Sequence, residues 1–268
     1  MANFVLPNEY FYKDLNNHLV DLKVRNPYLF KDKINFIGTH ANLPFSIWNG
    51  GTLINDRFLN KRDIEMLYTI SSKPLVIDCS NIFISSTDIF NLKENIFLEK
   101  NHTGLNYIII SDPDFLLLLK SKYPYYSFIL SPYVPEEEIT EELINNCTYI
   151  MNYYNRINTN IPKNKLLIIL PMNEQCYKCS NFFLCTKEEQ ENIYNFRVTS
   201  QFRNCKYNQT YSILIFNYKQ LVQEGYLNFT FDDRAFPLYN NVLMAHFYAD
   251  FFSAEGKNQE VFNLLMEG

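Results

Sequence analysis

Tyr107-Ile-Ile-Ile-Ser-Asp-Pro-Asp-Phe-Leu-Leu-Leu-Leu-Lys-Ser-Lys-Tyr-Pro-Tyr-Tyr-Ser-Phe-Ile-Leu130 is the stretch that decides the fold class. Two short apolar runs, Tyr107–Ile110 and Ser127–Leu130, flank Pro113–Lys122, which reads as a helix. Runs this short and this uniformly apolar are strands buried on both faces, the habit of a parallel sheet. Asp114 sets a negative charge in the helix's first turn, where the macrodipole favours it.

The same alternation extends in both directions. Ile34–Ile37, Leu75–Ile77, Leu166–Leu170, Ser212–Phe216 and Leu227–Phe231 read as further strands. Lys61–Ile70, Asp88–Leu98, Glu136–Tyr154, Lys187–Phe196, Tyr218–Glu224, Asn241–Phe252 and Gln259–Met266 read as helices. Repeated strand–helix units imply an α/β architecture. The expected form is a TIM-like (β/α) barrel with seven visible strands, the eighth being irregular near Arg197–Thr199 or absent. An open doubly wound sheet is the alternative, and the lack of a Gly-rich first turn argues against it. Ala2–Asn26 reads as a preceding helix that caps the barrel bottom. One domain is expected over residues 1–268, with the barrel core at about 34–235 and C-terminal helices at 236–268.

Composition narrows the function classes. The 268 residues are 47% hydrophobic and 20% charged, which excludes a chain disordered throughout. A net charge of −5 argues against an extensive nonspecific nucleic-acid surface. No apolar run approaches the roughly 20 residues of a membrane span. The first residues, Met1 to Glu9, lack the basic and apolar regions of a signal peptide, so a cytoplasmic location and no membrane partner are expected. In that setting the six cysteines are metal ligands or buried thiols rather than a disulfide framework.

In a barrel the residues following the strands converge on one rim, where such folds place their sites. His40 follows the first of the strands read above, Asp78 and Cys79 the second, Ser111 and Asp112 the third. His40 and Asp78 are candidates for moving protons, and Asp112 for a carboxylate paired with Asp78. Trp48-Asn49-Gly50-Gly51 would either let backbone approach a ligand while the indole stacks on it, or form a loop turn with an anchoring aromatic. Arg234, beyond the last strand, would hold an anionic group or form a local salt bridge with Asp232 and Asp233. Cys176, Cys179 and Cys185 form C-x₂-C-x₅-C directly after a strand, a spacing that can gather on one metal centre. Cys205 is the natural fourth ligand, with Cys79 as the alternative, and Cys147 reads as a packed thiol. Zinc and a 4Fe–4S cluster both accept four thiolates, and the absence of a second C-x₂-C knuckle leans toward iron–sulfur.

A family resemblance joins these residues. Leu166–Pro171 followed by Met172, Asn173, Glu174, Gln175, Cys176 and Cys179 resembles the cluster-binding segment of the collagenase-like peptidase family of unknown catalytic type. Gly225-Tyr-Leu-Asn-Phe-Thr-Phe-Asp-Asp-Arg234 is similar to that family's late strand, with Thr230 and Asp233 where the family has Lys and a second Gly. Asp78, Cys79, Ser80 and Asn81 stand where such proteins carry a strand-end Asn. The resemblance implies a TIM-like barrel with a 4Fe–4S cluster on four cysteines, and better-understood members act in hydroxylation of RNA bases or ubiquinone precursors. The expectation is therefore an iron–sulfur oxidoreductase or hydroxylase acting on a small-molecule, RNA or peptide substrate. The alternatives are a noncatalytic zinc-stabilised interaction protein and a peptidase-like hydrolase.

Overall fold

A computed structural model describes residues 1–42, 46, 48, 74–82, 84, 86–172, 215–231 and 240–267. Eight parallel strands close into a barrel: β1 (Ala2–Leu6), β2 (Ile34–Asn42), β3 (Leu75–Cys79), β4 (Tyr107–Ile110), β5 (Ser127–Leu130), β6 (Tyr149–Tyr153), β7 (Leu166–Leu170) and β8 (Asn228–Phe231). Each pairs with its neighbour in sequence, and β1 pairs with β8 to complete the ring. The protein is a TIM-like α/β barrel.

Strand alternation divides each run between two apolar layers. Val5, Val76, Ile109, Ile129, Met151, Leu167 and Ile169 come from six different strands and pack on one another, which places them in the lumen. Their neighbours Phe4, Leu6, Ile77, Ile108, Ile110, Phe128, Leu130, Ile168, Phe229 and Phe231 join the layer shared with the helices. Both faces are buried, which is why the strands read as continuous apolar runs rather than alternating ones.

The helices around the barrel include α1 (Glu9–Arg25), α2 (Leu92–Lys100), α3 (Pro113–Lys122), α4 (Glu141–Asn146), α5 (Lys219–Gln223), α6 (Asn241–Phe252) and α7 (Asn258–Glu267). The outer face of the β1–β8 seam is aromatic. Phe4 meets Phe229, Phe231, Phe251, Phe252 and Tyr218 at ring-centroid distances of 5.1 to 6.1 Å. Edge-to-face aromatic pairs add about 0.5–1.5 kcal/mol each beyond their burial, so α6 clamps the seam. The N-terminal end is closed by a ladder of asparagines. Asn35 Nδ2 donates to Asn3 Oδ1 (3.3 Å), Asn3 Nδ2 to Asn228 Oδ1 (2.9 Å), and Asn228 Nδ2 to the Leu166 carbonyl (3.3 Å).

Three expectations change. Ala2–Leu6 is the first strand rather than the start of a capping helix, so the sheet begins at residue 2 and not at 34. Tyr149–Tyr153 is the sixth strand: the helix expected over Glu136–Tyr154 is a 3₁₀ turn at Glu136–Glu138 followed by α4, and it ends at Asn146. Ile215 and Phe216 lie in no strand, and β7 pairs directly with β8. Residues 212–214, the stretch near Arg197–Thr199 and the helices expected at Lys61–Ile70 and Lys187–Phe196 lie outside the described residues.

Candidate active site at the C-terminal mouth

One irregularity sets the site. Phe4 pairs with Phe36 but Val5 pairs with Gly38, so β2 carries Ile37 as an extra residue. Such a bulge reverses the inward–outward phase of everything beyond it. Ile37 packs against the lumen cluster, and past the bulge His40 rather than Thr39 faces inward, level with Val76. Gly38 is required by crowding: a Cβ there would stand 3.0 Å from the Pro74 carbonyl oxygen and 3.2 Å from Val76 Cγ2.

His40 is buried, and its Nε2 lies 2.7 Å from Thr230 Oγ1 on β8. Burial lowers its pKa to about 4, so the imidazole is neutral at physiological pH. A neutral ring offers one donor and one acceptor nitrogen, which is what a proton-transfer group needs. Asp78 sits beside Ile109 in the register and shares its inward face. Its Oδ1 accepts from Ser80 N (3.0 Å) and Ser80 Oγ (2.5 Å). The row continues one residue past each strand end. Cys79 pairs with Ile110 and Ile110 with Leu130, so Ser80, Ser111 and Ser131 follow side by side. Ser111 Oγ donates to the Ser80 carbonyl at 2.6 Å. On the next strand Tyr153 OH lies 3.1 Å from Tyr133 OH.

Asp112 and Trp48, two more of the expected residues, are engaged elsewhere. Asp112 caps α3, its Oδ1 accepting from Phe115 N at 2.7 Å. Trp48 is fully buried, with its ring edge-on to Phe115 at 5.2 Å and its Nε1 donating to the Asp88 carbonyl at 3.2 Å. Its surfaces are taken up by the protein, so it anchors the core instead of stacking on a ligand. Asn49, Arg234, Cys176, Cys179, Cys185 and Cys205 lie outside the described residues.

Cys79, the alternative fourth ligand, follows Asp78 and therefore faces the other way, into the layer shared with the helices. Its thiol is pushed far up, first by burial and then by the negative charges of Asp78 and Glu94, so it stays protonated. Cys147 is packed as expected, its pKa raised to about 11 by burial. Among the described residues no three His, Cys, Asp or Glu side chains gather into a metal-binding group, and no helix is long and apolar enough to cross a membrane.

Thr230 was not picked out as a site residue from the sequence. Its signal was present in Asn228-Phe-Thr-Phe, where polar and apolar residues alternate and the polar ones face the lumen. Compared with family models, curated proteins and solved structures, the chain matches none. The barrel itself is the ground for a functional reading. Among the described residues, His40 and Asp78 face the lumen toward the C-terminal end, the end where barrel enzymes of this architecture place their sites.

Proposed function

We propose that the chain is a barrel enzyme of oxidoreductase or hydroxylase type that works at its C-terminal mouth, with Cys176, Cys179, Cys185 and Cys205 holding a 4Fe–4S cluster. The observation that carries this reading is the contrast between the two ends of the lumen. At the N-terminal end the asparagines satisfy one another, whereas at the other end a neutral His40 and the Asp78 carboxylate face inward. Polar groups held in an otherwise apolar lumen, and not used to close it, mark a site.

The cysteine run supports the same end. Cys176 comes six residues after Leu170, the end of β7, and four thiolates are a donor set that a 4Fe–4S cluster takes. Such a cluster supplies one-electron transfer when bound. His40 would give or take a proton, its ring held at Nε2 by Thr230. Asp78, fixed by Ser80, would orient the substrate, and Arg234, three residues beyond Phe231, would hold an anionic group.

Anaerobic purification with metal analysis and an optical spectrum tests this. The expected result is a brown protein absorbing near about 400 nm with roughly four irons per chain, both lost in Cys176→Ser. A colourless protein loaded with zinc overturns it and favours a zinc-stabilised interaction protein.

A further inference from the structure

The N-terminal end of the barrel, opposite the mouth, carries positive charge held in place by neutral partners. The strands are all parallel, so the residues leading into them share this end, and those directly before β1, β2 and β4 to β8 are described. On the entries to β4 through β8 stand Lys100, Lys120, Lys122, Lys163 and Lys165, against two carboxylates, Glu99 and Glu224.

Four of these lysines are fixed by uncharged acceptors. Lys120 Nζ donates to Asn146 Oδ1 (3.0 Å), Lys122 Nζ to Asn95 Oδ1 (2.5 Å), Lys163 Nζ to the Glu224 carbonyl (2.5 Å) and Lys165 Nζ to the Cys147 carbonyl (2.7 Å). The Glu224 carboxylate accepts from Gln220 Nε2 at 3.0 Å. Helix C-termini explain where such ammonium groups sit, but an uncharged acceptor takes one proton's bond and leaves the charge. The patch is therefore positive in a chain whose net charge is −5, and it attracts an anionic partner.

The same end also holds large apolar side chains in water. Met1, Val24, Tyr28, Leu105 and Tyr125 are 40% to 75% exposed. Met1 precedes β1, Val24 is in the last turn of α1, and Tyr28 is in the 3₁₀ turn that follows. Leu105 and Tyr125 each stand two residues before the paired Tyr107 and Ser127, which makes them neighbours among the lysines. Ammonium groups and apolar tips spread over one end of a barrel match a surface that is anionic outside and apolar beneath. Met1, Val24 and Leu105 have no ring to stack on a base, and lysine lacks the fork that grips phosphate bidentately, so a nucleic-acid strand fits less well.

We infer that the N-terminal end docks on an anionic lipid surface, as a peripheral contact that leaves the C-terminal mouth facing water. The inference stands apart from the chemistry proposed for the mouth.

The test is co-sedimentation of the full chain with phosphatidylcholine vesicles, plain or with about 30% phosphatidylserine, beside fluorescence anisotropy with a single-stranded oligothymidylate. The expected result is binding to the anionic vesicles only, weakened as salt screens the surface. Lys122→Gln and Lys163→Gln should each weaken it about 5-fold, and Leu105→Ser should weaken it with the charge intact. Lys13→Gln, in the first half of α1 and away from this end, should leave it unchanged. Circular dichroism checks the fold of each variant; should a lysine variant unfold, Leu105→Asp replaces it, with loss of binding expected. Absent vesicle binding, equal binding to both vesicle types, oligothymidylate binding as tight as that to the anionic vesicles, or lysine variants that bind as the wild type does each overturn the inference.

Discussion

His40 and Thr230 meet in the lumen at 2.7 Å although 190 residues separate them in the chain. β1 lies between their strands in the sheet, so the contact exists only because the N-terminal strand closes the barrel. This pair makes pH a direct probe of the site.

The His40 pKa is lowered from 6.5 to about 4 by burial. Between those values the unfolded chain binds this proton and the native chain does not, so stability falls as pH drops through the window. The contribution is complete above about pH 6.5 and lost by about pH 4, on the order of 3 kcal/mol. Urea melts at pH 7 and pH 4.5 should show a larger loss in the wild type than in a non-titrating His40→Gln variant. Equal losses would place the imidazole in solvent.

Thr39 faces the outer layer, the consequence of the bulge that turns His40 inward. It is buried, and its Oγ1 has no hydrogen-bond partner among the described residues. Replacing an unsatisfied buried hydroxyl with a methyl of the same shape removes a desolvation penalty of about 1–3 kcal/mol. Thr39→Val should therefore raise the urea midpoint without changing the slope. A lower midpoint would reveal a partner for the hydroxyl.

Gly38→Ala should do the opposite. The new methyl would meet the Pro74 carbonyl oxygen and Val76 at 3.0 and 3.2 Å, and overpacking of this kind costs about 1–3 kcal/mol. Because Gly38 sits at the bulge, the shift should also displace His40. The His40 ring signals in an NMR spectrum should then move more than those of His18 or His246. Unmoved signals would separate the bulge from the site.

Asp112→Ala should lose about 1 kcal/mol of stability through the missing N-cap of α3, with metal content unchanged. Thermal melts and iron analysis check the two halves separately. A loss of ligand binding with no loss of stability would return Asp112 to the site.

Much of this fold was legible locally. Leu75–Ile77, Tyr107–Ile110, Ser127–Leu130, Leu166–Leu170 and Leu227–Phe231 read as strands from their largely apolar content, and each coincides with or overlaps one. Pro113–Lys122 and Asn241–Phe252 carry apolar content enough to read as helices, and both do so within their expected bounds. β1 was hidden because five residues preceding a long helix carry no period of their own. β6 was hidden because Tyr149-Ile-Met-Asn-Tyr153 follows a six-residue helix without a Gly or Pro between them. Both strands are stabilised by neighbours far away in the chain, a term that local propensity does not contain.

The sequence by itself determined the parallel α/β class, the polar character of the strand ends and the cysteine run that follows β7, because these depend on residue type and short spacing alone. Tertiary structure decided which polar residues share the lumen. One extra residue in β2 sets the phase that turns His40 inward and Thr39 outward, and alternation sends Asp78 and Cys79 to opposite faces. The physical reason is that facing in a sheet is a property of register, and register is settled by the pairing of strands distant in the chain.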